Sequence, residues 1–106
     1  MIVKLGLLKN TPIRGITIYP FIFVRDEKDK HDPVLINHEK IHLRQQLELL
    51  IIFFYLAYAI NYLVLRFSYS HWCAYRWISF EAEAYKHEEN PRYLKIRESF
   101  AFTKYL

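Results

Sequence analysis

Glycine occurs only twice in the 106 residues, and cysteine once. With Cys73 alone, no disulfide can form within the chain, and nothing in its cysteine use argues for an oxidising compartment. Clustered positive charge is missing too: the formal net charge is +4, and the lysines and arginines are scattered. A nucleic-acid footprint needs a basic stripe or patch, so nucleic acid is not expected among the partners. No secretory leader is visible. Residues 1–8 are too short for a hydrophobic region, and Lys4 interrupts them. The expected location is therefore cytoplasmic, or membrane-associated through some other segment.

What is present is large and apolar. Hydrophobic residues make up 53% and aromatic residues 18%, so the low hydrophobicity and high net charge of a disordered chain are absent. A length of 106 residues fits one minimal domain with a modest core. Ile16 and Ile18 alternate with Thr17 and Tyr19, which suits a strand, and Pro20 confines the run 16–24 to an edge or a bend. Residues 25–32 are almost wholly charged and read as an exposed loop.

Asp32 then offers an N-cap, with Pro33 at the first helical position, where a missing N–H costs nothing. No glycine or proline follows until well past Arg66, so one helix is expected over 33–66. A second is expected over 74–88, and Asn90 with Pro91 repeats the start signal for a last helix to the C-terminus. The predicted fold is mainly α with a small N-terminal β element (α+β).

Residues 38–42 read His-Glu-Lys-Ile-His. On a helix the two histidines lie one turn apart on one face, so both imidazoles can reach a single ion. Glu39 lies about 100° round the helix, beside the ion rather than on it. There it can take a proton from an attacking water and pass it to a leaving amine. A catalytic zinc usually has three protein ligands. The candidates for the third are Glu48, His71, Glu81, Glu83, His87 and the pair Glu88 and Glu89. Glu48 is poorly placed, because without a chain-reversing glycine it sits about 9 Å further along the same helix.

The segment Phe80-Glu-Ala-Glu-Ala-Tyr85 resembles the E-x-x-A-D glutamate helix of gluzincin-type metallopeptidases. That group includes the CAAX-processing and heat-shock membrane proteases and the soluble minigluzincins. The resemblance covers residues 38–42 and 80–85, and implies a minimal zincin-like helical core. It implies that Glu81 binds Zn2+ with His38 and His42, that Glu39 is catalytic, and that Ala84 allows close helix packing. Tyr85 stands where the family has aspartate, so no carboxylate from that position is expected against a metal-binding histidine. Tyr85 or His87 is a candidate oxyanion donor.

Beyond Leu47 both faces of the first long helix are apolar or aromatic, and residues 49–65 hold one strongly polar side chain, Asn61. Such a helix is buried on all sides, sits in lipid or forms an oligomer contact. Run straight to Arg66, it ends about 36 Å from the ion, while an all-helical return to Glu81 covers only about 22 Å. A straight helix, a helical return and Glu81 on the ion therefore exclude one another. A break near Asn61 or a partly extended return over 67–78 is expected, which favours a re-entrant or peripheral hairpin over a single span. The expected activity is hydrolysis of peptide bonds in a peptide or protein substrate. The alternatives are a non-catalytic, metal-stabilised protein at a membrane or in an oligomer, and a metal-free helical interaction module.

Overall fold

A computed structural model describes all 106 residues. The chain is mainly helical, with a three-stranded sheet near its N-terminus. Strands β1 (Ile2–Lys4), β2 (Gly15–Ile18) and β3 (Phe21–Val24) are ordered β1-β3-β2. β3 pairs in parallel with β1 and antiparallel with β2, so the run 16–24 is a hairpin turned at Tyr19 and Pro20, and β2 is an edge. Alternation turns Ile22 and Val24 of β3 inward, where they form a small cluster with Ile36.

The charged stretch after β3 is not an open loop. Residues Glu27–His31 form a 3-10 turn that buries Asp29. Arg14 donates to both Asp29 and Asp32 at 2.8 Å, fastening the approach to β2 against the next helix. That helix, α1 (Pro33–Glu48), starts as its cap signal requires: Asp32 Oδ1 accepts from the backbone N–H of Val34 and Leu35.

The expected single helix over 33–66 is broken, and not at Asn61. It stops at Glu48 and resumes as α2 (Ile52–Arg66) at an angle of 110°. Leu50 and Ile51 both adopt positive φ, near 56° and 58°. These are unfavourable values for large side chains, and they are held by tertiary contacts on either side. No single helix is long and apolar enough to cross a membrane.

The return is helical. Ser70 caps α3 (His71–Trp77), which begins before the expected residue 74, and a bend at Ile78 separates it from α4 (Ser79–His87). The expected last helix is interrupted as well. A single turn, α5 (Tyr93–Ile96), and a 3-10 turn over Ala101–Tyr105 flank residues drawn toward Glu48. Phe54, Ile78, Phe80 and Phe102 form a second apolar cluster, and Ile41, Ala84 and Tyr93 a third.

The break makes an opposite-signed pair of predictions. Leu50 is largely exposed, so Leu50→Gly relieves its backbone without losing much packing, and is expected to raise stability by about 0.5–1 kcal/mol. Ala59→Gly, inside α2, is expected to lower it by about 1 kcal/mol. Thermal melts of the two variants measure both.

Candidate metal centre

His38 and His42 project from one face of α1 toward Glu81 in the first turn of α4. Their Nε2 atoms are 3.2 Å apart, and Glu81 Oε1 lies 3.2 Å from the first and 3.1 Å from the second. Four-coordinate zinc bonded at about 2.0–2.1 Å sets neighbouring donors about 3.3 Å apart, so the triangle has the size of one face of such a site. Glu39 is also close, with Oε2 3.9 Å from His38 Nε2. One donor atom each from His38, Glu39 and His42 falls within 4.8 Å of the others, so this buried group could hold a metal ion. All four residues are at most 6% exposed.

Two carboxylates facing two imidazoles form a strongly cation-seeking set. Burial disfavours the charged form of His42, but the Glu81 carboxylate, aided by Glu39 and Gln45, lifts it to about 9. Burial likewise raises the Glu81 carboxyl, but the two histidines hold it well below its ordinary 4.5.

Each donor is steered from behind. Gln45 Oε1 meets His42 Nδ1 at 2.8 Å, and Glu88 Oε1 meets His38 Nδ1 at 3.0 Å. Such partners fix the ring orientation of metal-binding histidines. Glu88 thus supplies the bond that Tyr85 cannot. Tyr85 instead packs edge-on against the His38 ring and shares a hydroxyl contact with Tyr75. Tyr58, from α2, donates to Glu81 Oε2 at 2.8 Å. Thr17 Oγ1 lies 2.8 Å from Glu39 Oε1, and Gly15 lies alongside that carboxylate, where a Cβ would stand in contact at 3.4 Å.

The other sequence candidates have other partners, and of those described next only His71 also lines the cleft. Glu48 takes a forked contact from Arg97 and the backbone N–H of Phe100. Glu83 accepts from Gln45, Tyr93 and Arg97. His71 meets Tyr62, while His87 stacks on Tyr93 and bonds to Tyr105, away from the cleft. Glu89 belongs to the turn after α4, and no side-chain bond ties it to the site. Thr17, Gly15 and Tyr58 carried no signal in the sequence. Glu88 did carry one, because seven residues after Glu81 is two turns along the same face.

The four groups border a cleft of about 690 Å³. It is also lined by residues 12–14 and the start of β2, and by Tyr55, Tyr58, Trp72 and Tyr75.

Behind His42, the Glu83–Arg97–Glu48 group sets a pH dependence. Burial alone would raise the Glu83 carboxyl, but bonds from Arg97, Tyr93 and Gln45 hold it below 4.5. The folded form therefore takes up its proton at lower pH than the unfolded chain. The stability this brings is complete above 4.5 and is lost as pH falls through the folded value. Arg97→Met is expected to cost about 3–5 kcal/mol at neutral pH and to flatten that acid-side loss. Urea melts across the acid range measure both effects.

The chain brings no inherited assignment to this site: no protein-family model, curated protein or solved structure matches it.

Proposed function

We propose that this protein is a zinc-dependent metallopeptidase of gluzincin type, with His38, His42 and Glu81 as metal ligands and Glu39 as general base and acid. The observation that carries the reading is the triangle of His38 Nε2, His42 Nε2 and Glu81 Oε1, with the Glu39 carboxylate beside it. Two imidazoles and one carboxylate suit zinc, and an open cleft above them suits a catalytic rather than a closed structural site. When bound, zinc polarises a substrate carbonyl and lowers the pKa of water.

The chain's own groups do the rest. Glu39 is positioned to accept the proton of the attacking water and return it to the leaving amine nitrogen. Thr17 holds one oxygen of that carboxylate and leaves Oε2 on the histidine side. Tyr58 donates to Oε2 of Glu81, which would leave Oε1 free to hold an ion. Tyr75 and Tyr85 share one hydroxyl contact and border the cleft, where a free O–H can donate to a developing oxyanion.

The β2 edge can receive an extended peptide, though only in part. The Thr17 carbonyl already accepts from Gln46 and Tyr55, and the Tyr19 N–H donates to Gln46. The antiparallel register aims the Gly15 backbone away from β3, so pairing is expected around Gly15.

Two variants test the assignment. Glu39→Gln is expected to keep zinc, measured by metal analysis of the purified protein, while hydrolysis of a casein-derived peptide mixture falls at least about 100-fold. Glu81→Ala is expected to lose both. Undiminished cleavage by Glu39→Gln would remove the mechanism, and full zinc affinity in Glu81→Ala would remove the third ligand.

A further inference from the structure

Helix α2 is inside out. Its outward stripe is Ile52, Phe53, Leu56, Ile60, Leu63 and Val64, continued by Phe67, which is 90% exposed. No polar side chain interrupts that stripe. The polar groups of α2 other than Arg66 bond back to the protein instead. Tyr58 bonds to Glu81, Asn61 accepts from the Ser79 backbone N–H, and Tyr62 meets His71. A helix facing water shows the reverse arrangement.

We propose that this face docks on a lipid bilayer bearing anionic headgroups, with α2 lying along the membrane surface. Three features favour lipid over a second copy of the chain. Protein interfaces carry roughly one hydrogen bond per 100–200 Å², and this stripe offers no side chain to make one. A bilayer demands that polar groups be satisfied within the protein, as those of α2 are. The chain that follows the stripe carries the residue types of a membrane interface: Arg66, Phe67 and Tyr69 at the end of α2 and in the turn, and Trp72 and Trp77 on α3, where Arg76 lies over the Tyr85 ring.

Charge selects the headgroup. Between Leu49 and Phe80 there is no aspartate or glutamate, and the two arginines are the only full charges. The stripe from Ile52 to Phe67 is about 22 Å long. Its opposite face is fastened to the body of the protein, so the helix lies on the bilayer instead of crossing it. Trp72 is both exposed and part of the cleft wall, which sets the mouth of the cleft near headgroup level.

The only two tryptophans, Trp72 and Trp77, are both in α3, which packs against α2, and are about two-thirds exposed, so intrinsic fluorescence reports on this end of the molecule. The full-length protein is mixed with vesicles of phosphatidylcholine, with or without phosphatidylglycerol, and followed by flotation and tryptophan emission. The expected result is co-flotation with the anionic vesicles, a blue shift, and quenching by brominated lipid. The double variant Leu56→Glu, Ile60→Glu should keep the native circular dichroism and bind at least tenfold more weakly. Arg66→Gln, which leaves the apolar stripe whole, should weaken binding to the anionic vesicles several-fold. Unchanged emission with no flotation would overturn the proposal. So would a dimer that forms without lipid, shows the blue shift by itself and ignores vesicles. Equal binding to neutral and anionic vesicles would overturn the charge selection.

Discussion

Between α1 and α4 the protein buries His38, Glu39, His42, Glu81 and Glu83, and the remaining elements are placed by the need to give these groups partners. A buried charge without a partner costs more than a chain of this size can offset from its apolar clusters, the largest of which has four buried residues. Each group is therefore met. β2 brings Thr17 to Glu39, α2 brings Tyr58 to Glu81, and the end of α4 brings Glu88 to His38. The C-terminal segment brings Tyr93 and Arg97 to Glu83. The polar seam organises the fold, and the apolar clusters close around it.

That requirement explains the least expected feature, the break between α1 and α2. A straight helix would carry Tyr58 far from Glu81. The 110° bend after Glu48 folds α2 back, so that Tyr55 reaches Thr17, Tyr58 reaches Glu81 and Phe54 packs on Phe80. The strain of two large residues at positive φ is offset by these contacts. One consequence appears on the outer surface. Because the tyrosines and asparagine of α2 bond back to the protein, its apolar residues are left outside, and the surface proposed to meet lipid follows from how the site is completed.

Much of this was legible from local chemistry. Asp32 and Pro33 announce α1 because capping and a missing N–H are matters of adjacent residues. The His38–His42 spacing states its own geometry once the helix is granted. The small β element at 16–24 and the mainly helical class were likewise readable from alternation and punctuation. The break at residues 49–51 was not, because no glycine or proline marks it and tertiary contacts impose it. The distance conflict between a straight helix and Glu81 showed that something must give, but not where. Glu48 reads as an ordinary helical charge until Arg97, almost fifty residues later, folds onto it. Thr17 and Tyr58 belong to the same class, since their roles exist only after the chain has closed.

We propose that His38, His42 and Glu81 together bind zinc. X-ray absorption of the zinc-loaded protein tests it most directly. The expected spectrum shows a four-coordinate ion with two imidazole nitrogens and carboxylate oxygen at about 2.0–2.1 Å, and it loses one imidazole in His42→Ala and carboxylate oxygen in Glu81→Ala. A shell of oxygen alone, or a spectrum unchanged in both variants, would contradict it.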